Sequence, residues 1–165
     1  MIHLIIGPVG AGKSTYGSQL AGEHAAVRLT LDERMAVLFG DDPRPTEGRL
    51  DWYVERTERC IEQIWRLTQQ LATVGTTVIL EIGLIRREAR QRFYGKLDAA
   101  AIEHVVHVVD ADRDVRRERV QHRNRERGAT FSMEVPLDFF ELASDMWEPP
   151  DGSERADREH RDVAT

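Results

Sequence analysis

The sequence predicts an α/β fold of three layers, with a small parallel β-sheet flanked by helices. Three observations lead there. Short apolar runs alternate with helix-period segments along the whole chain, the pattern of parallel strands joined by crossover helices. The runs are apolar throughout instead of alternating, as strands buried on both faces are. The first run ends in a glycine-rich loop that opens directly into a helix.

Ile2 to Ile6 (IHLII) reads as the first strand, and Lys13 to His24 as the helix behind the loop. Val27 to Thr30 is a second short strand and Asp32 to Phe39 a short helix. Gly40 to Gly48 (GDDPRPTEG) is a loop by its Gly, Pro and Asp content. Asp51 to Val74 is the longest helix: Cys60, Ile61, Ile64, Trp65, Leu67 and Leu71 recur on one face, and Gly75 ends it. Thr77 to Ile82 is the third strand. Arg86 to Ala100 is a charged helix with Phe93 and Leu97 inward. His104 to Val109 is the fourth strand, closed by Asp110, and Asp112 to Arg127 is strongly charged. Pro136 to Trp147 is an amphipathic helix with proline in its first turn and Phe139, Leu142, Ala143 and Met146 on its apolar face. Polar residues after Pro149-Pro150 predict disorder. The expected organisation is one domain over 1–147, with a lid at about 112–135, and a polar tail over 148–165.

A chain of 165 residues fits a single domain. With 41% hydrophobic residues it has enough apolar side chains for a core, and no apolar run approaches the ~20 residues that span a bilayer. The single cysteine, Cys60, excludes an internal disulfide and any Cys/His zinc pattern. No basic, apolar leader precedes the first strand, so a cytoplasmic location is expected. Net charge is −6, and the last eighteen residues set six acids against three arginines. That balance argues against a general nucleic-acid binder, although a local basic groove remains compatible with it.

Gly7-Pro8-Val9-Gly10-Ala11-Gly12-Lys13-Ser14 matches G-x-x-x-x-G-K-[ST] in full, between a strand and a helix. Glycines let backbone N–H groups turn inward around phosphate oxygens, and the helix N-terminus adds partial positive charge. Lys13 supplies a compact cation for the β/γ-phosphates, Ser14 an oxygen for Mg²⁺, and Thr15 a bond to the α-phosphate. The guanine-reading N-K-x-D motif is absent, and the chain is short for a motor or AAA+ module, so a small kinase fits best. Such an enzyme needs a base for the acceptor hydroxyl. Asp32, at the carboxyl end of the second strand, is the candidate; the alternative is that Asp32 or Thr30 caps the short helix. Glu33 is the weaker choice. Glu81 ends the third strand as a Walker-B acid does, beside metal or substrate; the alternative is a buried glutamate paired with arginine. Arg116, Arg119, Arg123 and Arg127 recur at helical spacing and are the candidates for cations over the phosphates. Arg117 and Arg125 read as solvent-facing, and Arg113 stays open. His104 and His107 point to opposite faces of their strand and cannot share a metal. Trp52 and Tyr53 either open the long helix or stack on an acceptor ring.

From Ile2 to about Trp147 the chain resembles the small P-loop kinases grouped with phage-type polynucleotide 5′-kinase, zeta toxins and chloramphenicol phosphotransferase, in particular the AAA_33-type ATP-binding proteins. GPVGAGKST matches the group's GxPGxGKST, with Val9 where proline is usual. Arg123-Asn124-Arg125-Glu126-Arg127-Gly128 matches its R-N-x-x-R-G lid pattern, and Val135-Pro136-Leu137-Asp138 its V-P-x-x segment. The resemblance implies a P-loop NTPase fold with strand order 2-3-1-4, ATP and Mg²⁺ as cofactors, Asp32 as the acceptor-site aspartate, and Arg127 with Arg123 as phosphate contacts. Two departures stand out. Met35 occupies the position where the group carries an arginine three residues after the aspartate, which weakens the nucleic-acid reading. Glu81-Ile82-Gly83 replaces a D-x-N type sequence.

The expected function is transfer of the γ-phosphate of ATP to a hydroxyl of a small molecule. Gly7 to Thr15, with Arg116 and Arg119, would bind the nucleotide; Ser14 and Glu81 the metal; and Lys13, Asp32, Arg123 and Arg127 would carry the chemistry. The alternatives are a polynucleotide 5′-hydroxyl kinase, a zeta-like toxin acting on a nucleotide sugar, and an ATP-binding regulatory protein without transfer activity.

Overall fold

The structure of this chain, a computed structural model, describes residues 1–126 and 134–165. Its elements run β1 (Ile2–Ile6), α1 (Lys13–Glu23), β2 (Val27–Thr30), α2 (Leu31–Phe39), α3 (Arg49–Thr73), β3 (Val78–Glu81), α4 (Arg87–Ala99), β4 (His104–Asp110), α5 (Arg113–Glu126), α6 (Leu137–Asp145), α7 (Gly152–Ala156) and β5 (His160–Ala164). The strands form one parallel sheet in the order β2-β3-β1-β4-β5.

Strand alternation sorts the core onto two faces. Ile2, Leu4 and Ile6 of β1 pack with Cys60 and Ile64 of α3 and with Phe93 and Leu97 of α4. Ile5 points the other way, to Leu20 of α1, Ile79 and Val109. All five residues of β1 are buried, which explains why its sequence is apolar but for His3. Gly17 brings α1 close to the sheet: a Cβ there would stand 3.1 Å from Ile5 Cδ1. Among the described residues no helix is long and apolar enough to cross a membrane.

Three expectations are corrected here. The sheet has a fifth strand beyond the expected 2-3-1-4 order, and it comes from the segment expected to be a disordered tail. Asp151 caps α7 through Glu154 N at 2.9 Å, and β5 pairs with β4 from Val106↔His160 to Asp110↔Ala164. The polar composition of this segment is spent on distant partners. Glu154 is buried against Arg90, Arg158 binds Asp98 at 2.7 Å, and Glu148 accepts Arg87 N at the start of α4 at 2.7 Å. Charge-assisted hydrogen bonds to fixed partners tie this polar segment to the rest of the fold. The apolar face of α6 is also shifted by one residue: Phe140 and Ala143 are buried, while Phe139 and Leu142 are exposed.

The buried histidines form a small polar network below the glycine-rich loop. His3 Nδ1 lies 2.9 Å from His107 Nε2, and the Tyr16 hydroxyl lies 2.7 Å from His107 Nδ1. His104 faces away, stacked on Tyr94 with centroids 6.1 Å apart.

Candidate functional site

The turn from β1 into α1 is built around glycines that accept no side chain. A Cβ on Gly7 would lie 2.0 Å from Val109 O at the end of β4. Gly10 adopts φ +79° and faces α5, where a Cβ would meet Arg116 O at 2.7 Å. A left-handed backbone pressed against a neighbouring helix admits only glycine. Gly12 precedes α1 without a side-chain cap, so the first N–H groups of α1 stay open toward the crevice. Pro8, Val9, Gly10 and Ala11 thus form a concave backbone rim, and Lys13 arches back over it to donate to Pro8 O at 2.8 Å.

Four predicted residues converge at the mouth of this rim. Ser14 Oγ donates to Glu81 Oε1 at 2.8 Å. Burial pushes the Lys13 ammonium below its usual value, an effect that the charges of Glu81 and Asp32 oppose. Burial pushes the Glu81 carboxyl up, and Lys13 and the Ser14 hydroxyl pull it back. Lys13 and Glu81 therefore stabilise each other's charge in a poorly solvated crevice. Asp32 stands in the first turn of α2, exposed. The helix is capped by Thr30, whose hydroxyl accepts Glu33 N at 3.4 Å. Among the described residues Asp32 has no hydrogen-bond or ion-pair partner, so its carboxylate is free for other work. Thr15 is exposed at the start of α1.

Glu81 has the arginine partner that one of its two sequence readings gives it. Besides Ser14 it is paired with Arg28, whose Nη1 donates to Oε2 at 3.5 Å, and Arg28 also pairs with Glu33. Sequence reading missed Arg28. The signal was present: in VRLT, period-two alternation puts Arg28 and Thr30 on one face, and the register Thr30↔Glu81 puts that face beside Glu81.

The oxygen set fits Mg²⁺. No group of three or more His, Cys, Asp or Glu able to hold a metal occurs among the described residues. An ion beside Ser14 and Glu81 must then take most of its ligands from water and phosphate, as Mg²⁺ does with its reluctantly shed waters.

The arginines divide. Arg116 is buried at the root of α5, and its bonds go to Val9 O, Ala111 O and Ser144 Oγ at 3.0, 2.9 and 3.1 Å; it is a packed residue and not the mobile cation expected. Arg119 donates to Thr165 Oγ1 at 2.9 Å, and that hydroxyl donates to Ala11 O at 2.7 Å. Arg123 carries a buried Nε that finds no hydrogen-bond partner among the described residues, and its charge is among those that lower Lys13. Arg113 and Arg117 are held by Glu141 of α6, at 2.5 and 2.6 Å. Arg125 is exposed. Arg127 lies outside the described residues. Asn124 of the R-N-x-x-R-G pattern is a clamp: it donates to Val135 O at 2.7 Å and accepts Val135 N at 3.1 Å. Trp52 does not offer an open ring, because Arg56 covers it at 4.0 Å from the centroid. Tyr53 is raised by burial and then by the nearby Asp32 charge.

The profile of the family described as AAA domain (AAA_33) matches residues 2–150. No curated protein matches the chain. Among solved structures, a provisionally assigned kinase from Chloroflexus aurantiacus is 17% identical with a TM-score of 0.74, covering 99% of this chain and 87% of its own. Kti12 from Chaetomium thermophilum, in complex with ADP-AlF3, is 14% identical with a TM-score of 0.70, covering 99% and 89%. A sugar kinase from Janibacter sp. is 14% identical with a TM-score of 0.64, covering 99% and 84%. At these identities the likeness is one of fold.

Proposed function

Because this chain belongs to the AAA_33 family of AAA domains, we propose that it is an ATP-dependent phosphotransferase acting on a hydroxyl of a small molecule. One observation carries the reading: Ser14 and Glu81 meet at 2.8 Å in the mouth of the phosphate loop, with Asp32 beside them and unspent. A fold alone does not define a reaction, but this set supplies the parts that phosphoryl transfer needs.

Each residue then has a task. The N–H groups of Gly10 to Ser14 and the Lys13 ammonium cradle the phosphates. Ser14 and Glu81 would hold Mg²⁺, whose chemistry would be to neutralise phosphate charge. Asp32 orients the acceptor hydroxyl and takes its proton as the new O–P bond forms and the bond from the γ-phosphorus to the β-phosphate oxygen breaks. Arg123, with Arg127, faces the phosphoryl group in flight, and Arg119 flanks the nucleotide. Arg28 helps to aim the Glu81 carboxylate.

The test uses γ-labelled ATP, Mg²⁺ and separate acceptors: sugars, nucleosides, an aminoglycoside, chloramphenicol and a 5′-hydroxyl oligonucleotide. The expected result is ATP binding that Lys13→Ala abolishes, and a labelled acceptor that disappears in Asp32→Ala. Removing a general base typically costs ~10²–10⁴-fold in rate. Turnover unchanged in Lys13→Ala, or no nucleotide binding by the wild type, defeats the reading.

A further inference from the structure

We propose that Arg116 is a positioning residue, whose guanidinium fastens the phosphate loop to the root of α5 and to α6 and so relays the state of the loop to those two helices. The proposal rests on the nucleotide reading above for its ligand, and on the following geometry for its mechanism.

Arg116 bonds three separate segments. Nη1 donates to Val9 O in the loop at 3.0 Å and to Ser144 Oγ in α6 at 3.1 Å. Nε donates to Ala111 O, between β4 and α5, at 2.9 Å. The side chain is buried and its guanidinium carbon lies 5.6 Å from the Phe140 ring centroid. Bonds from an ionised donor in such surroundings are strong ones, and a planar fork is needed to reach three acceptors at once.

Apolar packing follows the same path. Val120 of α5, Val135 ahead of α6, and Phe140 of α6 form a small cluster apart from the two clusters on the sheet, and Val9 of the loop packs against it. Gly10 touches α5 directly, with Arg116 O and Val120 Cγ2 at 2.7 and 3.0 Å from a would-be Cβ. Val9, where the resembled group carries proline, thus uses both its side chain and its carbonyl to hold α5 and α6. A displacement of the loop backbone by bound phosphate must be taken up at this joint, since a packed core resists gradual deformation.

The test is amide hydrogen exchange on the full chain, without nucleotide and with ADP and Mg²⁺. In folded Arg116→Ala, amides of Val9 to Gly12 and of the first turn of α5 should exchange at least tenfold faster, with β1, β3 and β4 unchanged. ADP should bind at least tenfold more weakly, and its protection of α6 should vanish. Arg116→Lys should match Arg116→Ala at the loop. Ser144→Ala, which removes only the α6 contact, should leave loop exchange within twofold of wild type and still lose the ADP-induced protection of α6. Should Arg116→Ala fail to fold, the lysine and Ser144 variants decide the matter. Wild-type loop exchange in folded Arg116→Lys, or undiminished protection of α6 in Ser144→Ala, overturns the proposal. A wild type that binds no ADP would sink the nucleotide reading instead, while the ligand-free comparison still decides the role of Arg116.

Discussion

Replacing Glu154 with alanine leaves the Arg90 guanidinium charged and alone inside the protein. Both side chains are fully buried. Arg90 Nε and Nη2 donate to the two carboxylate oxygens at 2.5 and 3.0 Å, and the Tyr94 hydroxyl donates to Oε1 at 3.0 Å. What remains to Arg90 is weak, with Nη1 at 3.4 and 3.3 Å from Leu84 O and Ile85 O. Removing one partner of a buried pair costs about 3–5 kcal/mol, and for a chain of this length each kcal/mol lowers Tm by about 2–4 °C. Thermal unfolding followed by circular dichroism should therefore show a drop of roughly 10 °C. Arg90→Met combined with Glu154→Leu should recover most of it, because apolar replacement of the whole pair removes the stranded charge. The pH dependence has a definite sign. Burial raises the Glu154 carboxyl, but the hydrogen bonds and charge of Arg90 outweigh it and hold the folded value low. The contribution is thus present above the unfolded carboxylate value of about 4.3 and is lost as pH falls through the lower folded value. A Tm drop under about 3 °C, or single-variant losses that simply add in the double variant, would refute the reasoning.

Three further outcomes are expected. Burial, then the neighbouring His3 and Arg161, lowers His107 to about 4; the folded state therefore binds fewer protons than the unfolded one between about 6.5 and 4. Stability in urea should fall by on the order of 3 kcal/mol from pH 7 to pH 4 through this group, and His107→Gln should flatten that slope. Gly10→Ala places a methyl 2.7 Å from Arg116 O at φ +79°, which should cost about 1–3 kcal/mol and, in an ADP titration, weaken binding. Asn124→Ala breaks the two bonds to Val135; exchange at the Val135 amide should rise by about tenfold or more, as the loss of roughly 1–3 kcal/mol implies.

Much of the fold was legible because its signals are local. The motif from Gly7 to Ser14 states its own backbone geometry, and the apolar runs of β1, β3 and β4 state their double burial. The convergence of Lys13, Ser14, Glu81 and Asp32 followed from the rule that ligands meet parallel sheets at the carboxyl ends of strands. The misreadings share one cause. Arg116 looked like its neighbours Arg119 and Arg123 in a run of arginines, and only the path of Val9 and Ser144 past the helix separates a buried fork from an open cation. Trp52 could be read as a helix opener or as a stacking platform, and only the fold shows Arg56, one turn on, covering its ring.

The segment after Trp147 draws the same line most sharply. Its residues are polar, and polar residues reveal nothing of their partners from one stretch of chain. Glu154 needed Arg90, Glu148 needed the start of α4, and β5 needed the free edge of β4. By itself the sequence determined an α/β sheet with a phosphate-binding turn at its centre, since glycine conformation and apolar period are properties of neighbours along the chain. Tertiary structure alone decided which charges are buried in pairs and which stay open to a ligand, because ion pairs and hydrogen bonds are made between residues that are distant in sequence and adjacent only once the sheet has closed.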